Sequence, residues 1–163
     1  EKIRKEGYLD YLILDLRGNA GGLLPAGVET AKIFLPANKN IVFIIGKTGL
    51  LSTQNTGLEE GDETKVPLLV FVDNATASAS EVLAAALKEN GRAKLLGEKT
   101  FGKGVIQTIE PLSDGAGVAV TIARYETPKR NNINGKGIDV DLTISCKSEQ
   151  SVEKCISEDL LKN

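Results

Sequence analysis

"PLLVFVDNATASASEVLAAALKENGRAKLLGE" occupies positions 67–98 and decides the class of the fold. It opens with a nearly unbroken apolar run at 67–73, as carried by a strand covered on both faces. Short hydroxylated residues follow. A helix is predicted over 80–90, with Val82, Leu83, Ala86 and Leu87 on its apolar face. Gly91 ends it, and "AKLLGE" returns as a strand. Strand, helix and strand in so short a space read as a crossover between parallel strands.

The same order precedes it. "YLILDLR" (11–17) is a buried strand, and "GNAGGLLPAG" (18–27) is a glycine-rich turn. A helix is predicted over 25–35: Leu24, Val28, Ala31 and Leu35 share one face, Pro25 suits a first turn, and Pro36 stops it. "IVFII" (41–45) is the next buried strand, and 46–65 read as an exposed excursion with a weak hairpin. Beyond 98, "GVIQTI" and "GVAVTIARYET" are β-rich and separated by the turn "PLSDGAG". "PKRNNINGKG" is a polar loop, and 148–161 are predicted helical. The expected class is α/β, a mostly parallel sheet with covering helices and additional β elements.

Of 163 residues, 41% are hydrophobic and 26% charged, which suits one domain with a real core. The net charge of -2 and 4% aromatic content give no grounds for a nucleic-acid or anionic-membrane partner. No apolar run is long enough for a transmembrane helix. The opening "EKIRKEGYLDY", without an initiator Met, reads as the tail of a helix, so a piece of a longer chain is expected. The chain has no histidine, which removes Ser-His-Asp and Cys-His catalysis and most zinc sites. Cys146 and Cys155 have two readings. They could close a short disulfide loop worth ~2–3 kcal/mol, or stay as thiols, with Cys155 a small buried residue at helical spacing from Val152 and Ile156.

Three stretches could carry chemistry. Thr76, Ser78 and Ser80 precede the helix of the opening segment, where first-turn N–H groups can stabilise a negative oxygen. Ser78-x-x-Glu81 equally fits a capping box, and the two readings are compatible. Lys103, in "GEKTFGKGVIQ" (97–107), is either a surface lysine or a base in an apolar, glycine-lined setting that disfavours the ammonium form. A Ser/Lys pair is the known solution when no histidine is available. "DLRGNAGG" allows close backbone approach to a substrate, although many βα turns are glycine-rich. It is not a phosphate loop, because no Gly-Lys-Ser/Thr follows.

Taken together, "LILDLRGNAGGLLPAGVETA", "VDNATASASEVLAAALKENGRA", "GEKTFGKGVIQT", "LSDGAGVAVTIARYETP" and "GIDVD" resemble the carboxyl-terminal processing peptidases, or tail-specific serine proteases, in the family's order. The resemblance implies a Clp protease/crotonase-like core. It implies Ser78 as nucleophile, Lys103 as base, and Gln107 as the residue holding the lysine. It also implies an oxyanion hole from the backbone N–H groups of Gly22 and Ala79, with Gly21 the substitute for Gly22. In a flat strand, Gln107 would lie ~13 Å from Lys103, so direct contact needs a bend. Glu89 stands where some relatives carry an aspartate. No cofactor and no metal are implied.

On this reading, 1–145 are the C-terminal portion of the peptidase core and 146–163 a helical tail. A PDZ domain that selects substrate C-termini would precede residue 1. The fragment alone is then expected to be inactive. The segments 112–128 and 76–93 look closest to the chloroplast and cyanobacterial branch. That branch implies removal of the C-terminal extension of a photosystem II reaction-centre precursor in the thylakoid lumen. A bacterial periplasmic tail-specific protease is the alternative. "RGNAGG", the excursion at 46–65, and "GIDVD" in place of Gly-x-x-Pro-Asp depart from the pattern without touching the catalytic positions. Two further readings are a non-catalytic binding module that kept the fold, which intact Ser78, Lys103 and Gln107 disfavour, and an acyl-CoA enzyme of the crotonase type.

Overall fold

The segment at 67–98 forms the predicted unit of β4 (Leu68–Val72), α2 (Ala79–Glu89) and β5 (Ala93–Gly97). The two strands are parallel, from Leu68↔Ala93 to Val72↔Gly97. The computed structural model describes residues 9–146 and 149–156. β1 (Leu12–Asp15) lies parallel on the other side of β4, and the short β8 (Leu142–Thr143) completes the order β1-β4-β5-β8. α1 (Leu24–Phe34) has Pro25 in its first turn and buries Val28 and Ala31. Pro has no N–H to lose at that position, which is why it starts a helix well.

"IVFII" belongs to a different sheet from the one that a strand-helix-strand reading suggests. It lies in β2 (Asn40–Gly46), which pairs antiparallel with β3 (Gly49–Asn55) and β7 (Gly117–Glu126). With β6 (Val105–Pro111) the second sheet has the order β3-β2-β7-β6. The excursion after Gly46 is therefore a well-formed hairpin: Gly46 pairs with Gly49 across a two-residue turn. A short apolar run states that a strand is buried, but not which neighbour it pairs with.

α2 is buried from Ala79 to Leu87 with no break, where one apolar face was expected. It packs against α1, against β5 of the parallel sheet and against β2 of the antiparallel sheet. A helix enclosed on all sides must be apolar wherever its polar groups are not hydrogen-bonded, and its alanines let both layers approach closely. The opposite face of the parallel sheet is covered by a separate cluster. Phe71, Leu96 and Cys146 are buried there, with Ile144, Val152, Cys155 and Ile156 packed on them.

Cys146 and Cys155 are disulfide-bonded, with Cα atoms 5.8 Å apart. The loop they close is held by Arg17, whose side chain is only 2% exposed. Its guanidinium donates to both carboxylate oxygens of Asp15 (2.8 and 2.7 Å), to Cys146 Sγ (2.9 Å) and to the Gln150 carbonyl (2.9 Å). Within 149–156 the regular element is a 3₁₀ turn, Val152–Lys154, in place of the expected α-helix. The rest of the helix expected over 148–161, and the first eight residues read as a helix tail, lie outside the described residues.

Candidate functional site

The turn between β4 and α2 singles out one of the three hydroxyls. Thr76 is fully buried and its Oγ1 donates to the Leu16 carbonyl (2.8 Å), while Ser80 is buried in the first turn of α2. Ser78 alone is partly exposed. It sits at the N-cap of α2 with φ 57° and ψ −122°, in the left-handed half of backbone space. For a non-glycine residue that costs of order 1–3 kcal/mol, persists only where neighbours enforce it, and is concentrated at functional sites. A serine on a sharp, strained strand-to-helix turn is the arrangement that exposes a nucleophilic oxygen above a sheet.

The neighbours that enforce it are explicit. Ser78 N–H donates to Glu81 Oε2 (2.9 Å), which is the Glu81 half of the predicted capping box. The Ser78 carbonyl accepts from the N–H groups of Glu81 and Val82 (2.9 and 3.0 Å).

Glu81 does more than cap. Its carboxylate is fully buried. Besides Ser78 it accepts from Thr100 Oγ1 (2.6 Å) and Gly102 N–H (2.8 Å) on Oε1, and from Lys103 N–H (2.8 Å) on Oε2. Phe101 N–H adds a bond to the Thr76 carbonyl (3.0 Å). The segment 100–103 is thus stitched onto the turn that carries Ser78 by four consecutive residues. Without such donors a buried carboxylate would be very costly; with four, it is a rigid junction.

The glycine-rich loop docks on the opposite side. Ala77 N–H donates to the Asn19 carbonyl (3.0 Å), and Gly21 N–H to Asn19 Oδ1 (3.0 Å). Gly21 has φ +98°, and a Cβ there would come within 2.8 Å of Ser78 Cβ and 3.1 Å of Ala79 N. Only glycine allows that approach. Among the described residues, the N–H groups of Gly22 and Ala79 have no hydrogen-bond partner. A pocket of about 220 Å³, lined largely by Leu14, Leu16, Leu23, Ala26 and Leu83, opens beside Gly22 and Ala79.

Lys103 departs from the expected apolar setting. Its backbone is locked to Glu81, but its side chain is exposed. The flanking glycines supply tight backbone packing and no cover. Gln107 is exposed on β6, and its amide donates to Thr121 Oγ1 (3.3 Å) on β7 rather than to Lys103. The strand is bulged at Ile106/Gln107. Glu89, at the far end of α2, accepts from Lys129 N–H (2.7 Å) and Asn131 Nδ2 (2.9 Å). Its role is to fasten that loop. A larger cavity, about 1070 Å³, lies near the starts of β4 and β5 and includes neither Ser78 nor Lys103.

The sequence profile described as Peptidase family S41 matches residues 1–144. The chain belongs to Peptidase family S41. Among S41 relatives, it is 49% identical over 140 residues to a carboxyl-terminal-processing protease of Picosynechococcus sp., covering 86% of this chain and 33% of that protein. It is 46% identical over 132 residues to the chloroplastic carboxyl-terminal-processing peptidase 1 of Arabidopsis thaliana, covering 80% and 27%. A solved structure titled photosystem II D1 C-terminal processing protease superposes with a TM-score of 0.80 at 44% identity, over 88% of this chain and 36% of that one. The chain therefore spans about a third of the length of these S41 proteins.

Residues that sequence reading did not single out complete the site. Thr100 orients Glu81 and is itself fixed by Ile138 N–H (2.7 Å). Asn19, through its carbonyl, and Asp73, through its carboxylate, join the glycine-rich loop to the turn that carries Ser78. The sequence did carry a signal for Asp73: an Asp followed by small residues after a strand forms an Asx-turn. Nothing in it indicated a partner fifty-five positions away.

Proposed function

We propose that this chain carries the catalytic centre of a serine endopeptidase that cleaves near protein C-termini, using a Ser78/Lys103 pair. The observation that carries the reading is the strained, accessible Ser78 sharing one carboxylate oxygen of Glu81 with the backbone of Lys103. Neutral Lys103 takes the proton of Ser78 Oγ as that oxygen attacks a peptide carbonyl. The unpaired N–H groups of Gly22 and Ala79 hold the oxyanion. The lysine then gives its proton to the leaving amine, and water resolves the acyl-enzyme by the same route. Gln107 supports the lysine segment through the β6–β7 ladder rather than by contact, and the pocket beside Gly22 takes a substrate side chain.

Relatives named as chloroplastic and cyanobacterial processing proteases support a substrate that is the C-terminal extension of a photosystem II reaction-centre precursor, cut in the thylakoid lumen. Selection of the tail by a PDZ domain elsewhere in the protein is part of this proposal. The test is cleavage by the full chain of peptides that differ only in their last few residues. Ser78→Ala and Lys103→Ala are expected to abolish turnover with the fold retained. Near-normal cleavage by either variant would refute the assignment.

A further inference from the structure

The two unpaired N–H groups, on Gly22 and Ala79, belong to different segments of chain, and something must fix one relative to the other. Gly22 lies in the loop that leaves β1. Ala79 follows the turn that leaves β4. The β1–β4 ladder holds the strands in register only as far as Asp15↔Phe71. Past that point the side chains of Asp73 and Thr76 span both segments at their roots, and Ala77 N–H donates to the Asn19 carbonyl (3.0 Å) further along.

Asp73 is the first residue after β4. Its Oδ1 accepts from Gly18 N–H (2.9 Å), Ala75 N–H (3.0 Å) and Thr76 N–H (3.0 Å), and its Oδ2 shares the Gly18 N–H (3.0 Å). The Ala75 and Thr76 bonds shape the turn that leads to Ser78. The Gly18 bond pulls the glycine-rich loop onto that turn. Thr76 Oγ1 secures the same junction, accepting from Asp73 N–H (2.9 Å) and donating to the Leu16 carbonyl (2.8 Å). Arg17, next to Gly18, contributes positive charge facing Asp73.

We propose that Asp73 is a positioning residue for the oxyanion hole: through Gly18 it sets the separation of the Gly22 and Ala79 N–H groups. This rests on the peptidase reading above. Asp73 does not reach the reacting atoms and moves no proton. Preorganised donors matter because a donor displaced by about 1 Å can cost about 10²-fold in rate, and removal of one costs about 10²–10³-fold. A binding role for Asp73 would raise KM instead.

The test uses Asp73→Asn and Asp73→Ser in the full chain. Asparagine keeps a turn acceptor but can face Gly18 N–H with an amide. Serine keeps the small hydroxyl that supports such a turn and cannot bridge to Gly18. Two quantities are read: kcat and KM on a cleavable peptide, and affinity for a peptide boronate, whose tetrahedral adduct on Ser78 occupies the oxyanion hole. The expected result is a kcat lower by about 10- to 100-fold, KM within about twofold, and boronate affinity lower by a factor similar to that in kcat. The melting midpoint of at least one of the two variants should stay near wild type. Unchanged boronate affinity of the folded variant, or an apparent kcat that falls only in proportion to the unfolded fraction, would overturn the role of Asp73. Failure of the wild-type protein to form a boronate adduct on Ser78 would instead overturn the peptidase reading, and the Asp73 role with it.

Discussion

The backbone N–H groups of Ser78 and Lys103 donate to one and the same oxygen, Oε2 of Glu81, at 2.9 and 2.8 Å. Twenty-five positions of sequence separate the two residues. Their segments are joined by this buried carboxylate and by the bond from Phe101 N–H to the Thr76 carbonyl (3.0 Å).

Loss of that carboxylate should therefore be felt in both stability and rate. Glu81→Ala leaves buried donors from Ser78, Thr100, Gly102 and Lys103 without an acceptor. Each unsatisfied group costs about 1–3 kcal/mol before relaxation. The expected outcome is a destabilisation of at least ~3 kcal/mol in urea unfolding, with peptidase activity undetectable. Glu81→Gln, nearly isosteric, should retain more stability than Glu81→Ala and still lower kcat. Equal stability of Glu81→Ala and wild type would show that the junction is not structural.

Ser78 holds a left-handed backbone that glycine adopts without strain. Ser78→Gly is expected to be as stable as Ser78→Ala or up to ~1 kcal/mol more stable, despite the greater unfolded-state freedom of glycine. Neither should cleave peptide. Thermal melts of the two variants side by side measure the difference directly.

Gly21 has no room for a side chain, because a Cβ would meet the Ala77 carbonyl at 2.6 Å. Gly21→Ala should push the loop off the turn that carries Ser78 and lower kcat by about 10²-fold with the fold intact. Circular dichroism and steady-state rates on the same preparation would check this.

Reduction of Cys146–Cys155 should loosen the cover over the outer face of the parallel sheet. Closing a loop of this size is worth about 3 kcal/mol. Urea unfolding with and without a dithiol reductant is expected to differ by roughly that amount, and Cys155→Ser should match the reduced protein.

Hydrogen bonds from Arg17 hold the Asp15 carboxyl below the usual carboxylate range, against a smaller opposing effect of burial. A carboxyl depressed in the folded state adds stability that is complete above its unfolded pKa, near ~3.9. That stability is lost as pH falls through the lower, folded value. Stability of the wild type should therefore fall more steeply below about pH 4 than that of Asp15→Asn. Unfolding midpoints at several acidic pH values, for both proteins, would show the difference.

Periodicity and punctuation in the chain determined the two helices to within a residue, the parallel strands β1, β4 and β5, and the turns around them. These are local properties, written by Pro25, Pro36, Gly91 and the apolar runs themselves. The resemblance carried by the ordered blocks pointed to Ser78, whereas the local pattern by itself left Thr76, Ser78 and Ser80 as three hydroxyls at one helix start. Partners were another matter. Placement of β2 in the antiparallel sheet, burial of α2 on every side, the exposed Lys103 amine and the Gln107–Thr121 pairing all depend on which distant surfaces meet. So do the two carboxylates: Glu81 reads locally as a cap and Asp73 as a turn residue, and only folding shows each one also binding a segment far away in sequence. A hydrogen bond to a remote backbone N–H leaves no periodic trace along the chain, so tertiary structure alone could reveal it.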